Sequence, residues 1–302
     1  MKAAIIGFGS IGARHAEILK KMGLSVSVVS SRNDVPHPVY KNIDLLFDAD
    51  IPDYLIISNA TELHYSTFEE IKTLGFNGIL LIEKPVSGEY VPIEEFCPTF
   101  VAYQLRFHPV LQEMHRICAN MKLLACNIYT GSYLPDWRPE QDYRKVSSSS
   151  GSDGGVLREL SHEWDFLFWM SGQWESVSTI TGHYSTLEIQ RDDVTGVLLE
   201  TKGCPVATVQ LNYLDRIGRR EIIIILENTT IHADLIKNTL TINETRKNFS
   251  VERNETYRAM HEAILNGKHD QPCSLTEGLD ILKFVKSAEH SSQTGMRQER
   301  VS

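Results

Sequence analysis

Along the first hundred residues strand-like apolar segments fall at 2–6, 25–30, 54–58, 79–83 and 99–104, several of them continuous runs. Runs of this length, rich in Val, Ile and Leu, read as parallel strands buried on both faces. Between them the apolar spacing turns helical, most clearly at 11–22 and 64–74, with Gly23 and Gly75 where helix C-caps belong. Strand and helix in alternation predict an α/β domain with a doubly wound parallel sheet. Past residue 105 the pattern changes. A helix at 109–120 is followed by strands in succession at 122–133, 177–182, 194–201, 206–213, 221–226 and 229–234, with a short one at 239–243. That order predicts an α+β domain with a large, open, mostly antiparallel sheet. One helix, 156–170, ended by Gly172, interrupts the strands, and helices at 251–266 and 275–291 close the chain. The predicted domains are therefore 1–105 and 106–302. The serine- and glycine-rich segment 147–155 reads as a mobile loop leading into the interrupting helix.

The first apolar run leads straight into Gly7-Phe8-Gly9-Ser10-Ile11-Gly12, and the helical pattern starts at Ile11. In that context the spacing is a dinucleotide fingerprint. Gly7 permits the tight turn, Gly9 lets backbone approach a pyrophosphate with no Cβ in the way, and Gly12 lets the helix pack close on the strand. The free N–H groups of the helix N-terminus then face the phosphates. A glycine-rich turn without a ligand is the competing reading, and strand, motif and helix in register weigh against it. The first domain is thus predicted to be a Rossmann fold.

Ligands of such a sheet lie outside the carboxyl ends of its strands. After the second strand stand Ser30, Ser31, Arg32 and Asn33. An NAD-selective site normally has Asp or Glu there to hold the ribose 2′-hydroxyl. Hydroxyls and an arginine suit a 2′-phosphate, so NADP(H) is favoured over NAD(H); otherwise Arg32 belongs to a plain surface turn. After the third strand come Ser58, Asn59, Ala60, Thr61, Glu62, Leu63 and His64. Of these, Asn59, Thr61 and His64 suit a ribose or nicotinamide, and Thr61 also fits as N-cap of the next helix. After the fourth come Glu83, Lys84 and Pro85. The end of a buried strand is an expensive place for charge, so this pair is either solvated or used.

On the interrupting helix, Leu157, Leu160, Trp164 and Leu167 recur at helical spacing and are expected to face the core. Glu159, His162 and Asp165 recur at i, i+3, i+6 and form an adjacent strip. A histidine flanked by carboxylates gains an orienting partner and suits general acid–base work, while a face laced with exposed charge pairs has the same periodicity. His162-Glu163 resembles half of a zinc motif, but position 166 is Phe166, and no metal site is expected.

The chain has 302 residues, 42% of them hydrophobic and 23% charged, as in ordinary globular proteins. Its longest apolar runs are too short to cross a bilayer, and the apolar N-terminal residues are read as a strand rather than a signal peptide. Net charge is −9 without a Lys/Arg cluster, so neither nucleic acid nor membrane is an expected partner. Cys97, Cys118, Cys126, Cys204 and Cys273 are scattered, with no Cys-x-x-Cys, and read as reduced packing residues of a cytoplasmic protein.

Together these pieces resemble the glucose–fructose oxidoreductase / inositol dehydrogenase / rhizopine-catabolism (Gfo/Idh/MocA) family. The resemblance rests on the glycine motif, on Asn59 to His64, on Glu83-Lys84-Pro85, on Tyr103 to Pro109 and on Gly154 to Asp165, in the family's order and near its spacing. It covers essentially the whole chain. It implies a Rossmann domain followed by an α/β domain whose open sheet covers the nicotinamide and commonly forms oligomer contacts, here a homodimer or homotetramer. It implies hydride transfer between NAD(P) and a hydroxyl or carbonyl of a sugar-type small molecule. By resemblance Lys84 lies beside the nicotinamide ribose and the reacting oxygen, and His162 transfers the proton. The family usually has aspartate four residues before that histidine. This chain has Arg158 there and Glu159 three before, with the glycine run closer by one residue, so the acidic role passes to Glu159.

Substrate contacts are expected from Arg106 and from the segment 133–144, with Trp137, Arg138 and Tyr143, where Trp, Tyr and Arg near carboxylates suit a sugar ring and an anion. That segment is similar to one in family members associated with bacterial surface-sugar biosynthesis. The leading expectation is an NADP(H)-dependent sugar dehydrogenase or reductase. A non-catalytic dinucleotide-binding regulator and an NAD-dependent glycoside-modifying enzyme are the alternatives.

Overall fold

The computed structural model describes all residues except 33, 120, 146–153 and 302. The chain forms two compact units, Met1–Phe107 with Arg253–Leu282, and His108–Glu252 with Lys283–Ser302.

The first unit begins β1 (Lys2–Ile6), α1 (Ser10–Lys21), β2 (Ser25–Val29), β3 (Val39–Tyr40), α2 (Ile43–Ala49), β4 (Tyr54–Ile57), α3 (His64–Thr73), β5 (Ile79–Ile82) and β6 (Thr99–Val101). These strands pair in the parallel order β3-β2-β1-β4-β5-β6. The strand order reverses between β1 and β4, the switch point at which doubly wound sheets open a crevice. β4 is buried along its whole length, which explains the unbroken Tyr54-Leu55-Ile56-Ile57 run. α1 closes on Lys20 and Lys21, and Gly23 then takes φ +87°, a left-handed conformation that stops the helix. α2 has no counterpart in the sequence pattern because it is short. Asn42 caps it by accepting the Leu45 N–H at 2.9 Å, with only Ile43 and Leu46 buried. The expected strand at 99–104 stops at Val101, and Gln104–Phe107 forms a 3₁₀ turn.

The second unit contains α4 (Pro109–Cys118), β7 (Leu123–Gly131), α5 (Val156–Glu159), α6 (His162–Ser171), β8 (Trp174–Gly182), β9 (Val194–Thr201), β10 (Cys204–Asn212), β11 (Arg219–Leu226), β12 (Thr230–Asp234), β13 (Thr239–Ile242) and β14 (Thr245–Asn248). Neighbouring strands of its sheet pair antiparallel, except that β7 and β10 run parallel. Strand β11 alternates cleanly. Ile222, Ile224 and Leu226 are buried, while Ile223 and Ile225 point to the other face. By register that outer face also carries Val206, Leu198 and Ile180, the last 72% exposed. On the inner side Phe284 packs against Trp164, Phe168 and Trp174, with ring centroids 4.9–5.6 Å apart.

The chain ends with α7 (Glu255–Leu265), β15 (Cys273–Ser274), α8 (Leu275–Thr294) and β16 (Gln298–Glu299). β15 adds to β6, and β16 adds to β8, completing sheets of seven and nine strands. The expected second domain takes in all of 106–302, whereas Arg253–Leu282 belongs to the first unit. Packing is the reason: Met260, Ala263 and Ile264 of α7 join Ile5, Ala16, Leu19, Tyr54 and Phe100 in one core. All five cysteines are free and buried, and burial pushes the Cys118 thiol up to about 11. No helix among the described residues is long and apolar enough to cross a membrane.

The interrupting helix is also revised. It is two pieces, broken at Leu160 and Ser161, where Leu160 leaves helical geometry with ψ 42°. In an unbroken helix the Ser161 N–H would bond to the Leu157 carbonyl. The Trp164 indole N–H takes that carbonyl instead, at 3.0 Å, and the fully buried ring holds the break.

Candidate functional site

In the first unit the glycine loop behaves as three different glycines. Gly7 has φ +93°, and a Cβ there would lie 2.6 Å from the Asn59 backbone. A Cβ on Gly12 would lie 2.1 Å from the Gly7 carbonyl oxygen. Both positions are closed by backbone that has nowhere to go. Gly9, the N-cap residue of α1, has nothing within 4 Å of its Cβ position. Space beside Gly9 at an uncapped helix N-terminus, with no acidic side chain in the first turn, is what a pyrophosphate needs. We expect Gly12→Ala to destabilise the protein by at least the ~1–3 kcal/mol of core overpacking and to abolish dinucleotide binding. Gly9→Ala is expected to shift stability by less than about 0.5 kcal/mol yet weaken binding. Thermal unfolding and cofactor titration of both variants separate the two roles.

Ser58 locks the neighbouring strand end, donating its hydroxyl to the Gly7 carbonyl at 3.0 Å. Asn59 gives its amide N–H to Thr67 at 2.8 Å, while its buried Oδ1 has no hydrogen-bond partner among the described residues. A buried acceptor left over on the ligand edge is costly unless something fills it. Thr61 opens a 3₁₀ turn and does not cap α3, whose N-cap position is Leu63. His64 bridges the ends of β4 and β5, with Nδ1 2.9 Å from the Pro85 carbonyl and Nε2 3.2 Å from that of Asn59. Glu83 is buried. One oxygen bonds His15 Nε2 at 2.8 Å and the other accepts the Lys84 main-chain N–H at 3.1 Å. Its charge is therefore engaged inside the unit rather than solvated. The open cradle at Gly9 and the unfilled Asn59 acceptor fit a nicotinamide dinucleotide.

His261 stands behind that edge on α7, fully buried between Tyr54 and His15. Burial, then the neighbouring His15, holds it well below the ordinary histidine range, so it stays neutral in the folded protein. In the unfolded chain it takes a proton below about pH 6.5. The unfolded state then binds more protons, so stability rises with pH there, is complete above about pH 6.5 and falls below it by up to about 1.4 kcal/mol per pH unit. Unfolding free energies at a series of pH values check this, and His261→Phe is expected to flatten the slope.

Arg32 departs from its expected use. Its guanidinium grips Asp34 through Nε at 2.9 Å and Nη2 at 2.5 Å, with Nη1 3.3 Å from the Phe8 carbonyl. That contact pulls the Asp34 carboxyl down to about 2. The arginine's charge is thus already answered by an acid two residues on. Ser30 Oγ accepts the Arg32 N–H at 3.1 Å, and Asn33 lies outside the described residues. Arg106 also departs. Its side chain is 2% exposed and paired with Glu277 at 3.0 Å within the first unit, so it serves packing and is dropped as a substrate contact.

In the second unit Gly155 has φ +100°, and a Cβ there would lie 2.2 Å from the Asp192 carboxylate. Asp192 occupies that space because it accepts the Leu157 N–H at 2.9 Å and so caps α5. Its carboxyl is raised by burial. Glu159 ends α5 and His162 begins α6, so the strip of Glu159, His162 and Asp165 expected on one continuous helix does not exist as such. Arg158, at the offset where the family has aspartate, holds Glu289 of α8 through two bonds of 2.6 and 2.9 Å. Asp165 is buried, as is Glu163, which takes Thr130 at 2.8 Å and Arg220 at 2.7 and 3.1 Å.

Two further buried groups of this unit, Ser161 next to His162 in the chain and Tyr213 at the end of β10, are not legible as site residues in the sequence. The Ser161 hydroxyl and the Tyr213 hydroxyl are buried with no hydrogen-bond partner among the described residues. Burial, then the charges of Glu159 and Asp192, push the Tyr213 phenol up. Trp137 packs edge-on against Tyr213 at 5.3 Å and donates its indole N–H to Ser132 at 2.7 Å. Tyr143 Oη accepts the Glu188 N–H at 3.2 Å, and Arg138 is exposed. Residues 147–153 of the expected loop lie outside the described residues.

The fold has close counterparts among solved structures. The WlbA dehydrogenase from Bordetella pertussis, in complex with NADH and UDP-GlcNAcA, superposes with a TM-score of 0.81 at 16% identity over 100% of this chain and 99% of its own. UDP-N-acetylglucosamine 3-dehydrogenase GnnA from Acidithiobacillus ferrooxidans gives 0.76 at 16% over 97% and 98%. GenD2 from gentamicin A biosynthesis, in complex with NAD, gives 0.76 at 17% over 100% and 97%. The chain has the fold of these oxidoreductases. No family model and no curated protein matches the sequence. The neighbours also correct the cofactor expectation. Structures of this fold hold NADH or NAD, against one described as NADPH-dependent, and Arg32 is engaged by Asp34. The preference for NADP(H) is withdrawn.

Proposed function

We propose that this chain is an NAD(H)-dependent oxidoreductase of the Gfo/Idh/MocA type, acting on a CH–OH or carbonyl group of a sugar derivative, with UDP-linked amino sugars or sugar acids as the first class to test. The observation that carries the reading is the full-length correspondence in fold with dehydrogenases solved with NADH and UDP-GlcNAcA, on a chain with lysine at 84 and histidine at 162. Gly7, Phe8, Gly9, Ser10, Ile11 and Gly12 would hold the pyrophosphate, and Asn59, Thr61, His64 and the Glu83-Lys84-Pro85 turn the nicotinamide end. Bound NAD(H) would supply the hydride acceptor or donor.

In the oxidising direction His162 takes the substrate hydroxyl proton as general base, and in reduction it returns it as general acid. The Lys84 ammonium would stabilise the alkoxide charge that develops in the reaction. Glu159, Ser161 and Asp165 flank the proton-transfer residue in the chain. Trp137, with Arg138 and Tyr143, offers a stacking surface and charge for the rest of the substrate. The exposed apolar row of Ile180, Leu198, Val206, Ile223 and Ile225 is the face on which a second copy would dock, giving a homodimer or homotetramer. The protein would work in the cytoplasm, with its five thiols reduced.

The test is a panel of UDP-linked sugars and sugar acids assayed with NAD and NADH for substrate-dependent change in NADH absorbance. Turnover of any member supports the reading. Tight NADH binding with no turnover across the panel favours a regulatory protein, the alternative to which Arg158, committed to Glu289 where the family has aspartate, lends weight.

A further inference from the structure

Four buried polar groups of the first unit form one continuous hydrogen-bonded chain that the proposed chemistry does not use. Tyr54 opens β4, His15 sits on α1, His261 on α7, and Glu83 follows β5. Tyr54 Oη lies 2.9 Å from His261 Nδ1, His261 Nε2 lies 2.8 Å from His15 Nδ1, and His15 Nε2 lies 2.8 Å from Glu83 Oε1. The second Glu83 oxygen accepts the Lys84 main-chain N–H. Tyr54, His15 and His261 are fully buried, and Glu83 nearly so.

Proton counting fixes the direction of this chain. A carboxylate only accepts, and a neutral imidazole has one N–H and one acceptor nitrogen. Glu83 therefore requires the His15 hydrogen on Nε2. His15 Nδ1 is then an acceptor and requires the His261 hydrogen on Nε2. His261 Nδ1 in turn accepts from the Tyr54 hydroxyl. With both rings neutral, every hydrogen along the path is used. A proton added to His15 Nδ1 would face the His261 N–H; if the His261 hydrogen then sits on Nδ1, it donates to the Tyr54 oxygen, which accepts as well as donates. The other titratable groups facing the pair are Tyr257 of α7, its ring edge-on to His15 at 5.5 Å, and Arg14 of α1, which lies over that tyrosine at 4.6 Å.

We propose that His15 and His261 are positioning residues: they hold the Glu83 carboxylate, and through its bond to the Lys84 N–H they fix the Glu83-Lys84-Pro85 turn and with it the Lys84 side chain. This rests on the reading of Lys84 as the cation that meets the reacting oxygen. The arrangement also ties the helix of the glycine loop directly to the lysine turn, two parts of one cofactor edge.

Two measurements on the full-length protein test this. Nitrogen-15 NMR of the histidine rings at pH 7.5 is expected to find a hydrogen on His15 Nε2, the one donated to Glu83. A His15 ring without a hydrogen on Nε2 overturns the proposal, because Glu83 then has no donor there. Site-resolved amide hydrogen exchange then compares His15→Leu, which removes the N–H to Glu83, with His15→Gln, whose amide can replace it. His15→Leu is expected to speed exchange of the Lys84 amide about tenfold while leaving the amides of β5 unchanged, and His15→Gln to restore it. Equal exchange in all three proteins overturns the proposal. NADH titration alongside is expected to weaken about fivefold or more in the Leu variant only, in step with the loosened turn. If the wild-type protein binds no NADH, the cofactor reading fails, while exchange and ring protonation still decide the positioning role.

Discussion

Lys84→Ala and His162→Ala are each expected to cut turnover by about two to four orders of magnitude with little change in folding stability. General acid–base catalysis by one positioned group contributes about 10²–10⁴-fold. Removing one preorganised group that stabilises a developing oxyanion costs about 2.7–4 kcal/mol, or 10²–10³-fold. Both side chains are only partly buried, so truncation leaves no sealed cavity. The two losses are also expected to differ in kind. His162→Ala should flatten the pH dependence of turnover, because the titrating proton carrier is gone. Lys84→Ala should keep the pH profile while lowering its height. Steady-state kinetics across pH, with unfolding curves for both variants, check this. Turnover near wild type in either variant removes that residue from the mechanism.

Arg220→Ala is expected to destabilise the protein by about 3–5 kcal/mol, the usual cost of stranding one partner of a buried ion pair. Glu163 is fully buried on α6, and Arg220 of β11 supplies two of its hydrogen bonds. With the guanidinium gone, the carboxylate keeps its bond from the Thr130 hydroxyl but loses its counter-charge, and it has no route to water. The double variant Arg220→Ala with Glu163→Gln is expected to recover part of the loss, because a neutral amide is cheaper to bury than an unpaired charge. Urea unfolding of the two variants against wild type measures both effects. A loss below about 1 kcal/mol for Arg220→Ala would show that the pair contributes no more than an exposed one.

The parallel sheet was readable because strands buried on both faces must be apolar throughout, as Tyr54-Leu55-Ile56-Ile57 is. The glycine motif was readable because Gly7 and Gly12 are sterically obligatory, and obligation leaves a trace in sequence. What was missed depends on partners distant in the chain or on side-chain geometry that no spacing encodes. Arg32 carried no sign that Asp34 would take its fork, and the cofactor preference drawn from it was wrong. Arg106 gave no hint of Glu277, 171 positions away. The break between α5 and α6 hid inside a clean helical period, because it is held by the Trp164 indole and not by a Gly or Pro. The return of α7 to the first unit was likewise invisible, since amphipathic spacing says which face is buried and not against what. Asp192, which makes Gly155 necessary, lies between two predicted strands and carries no motif of its own.

The central claim, that this chain works on a nicotinamide dinucleotide, meets its most direct test in a fluorescence titration of the purified protein with NADH and, in parallel, NADPH. Saturable NADH binding, tighter than that of NADPH and lost in Gly12→Ala, is the predicted result. Absence of binding by either nucleotide would contradict it, and the hydride-transfer mechanism with it.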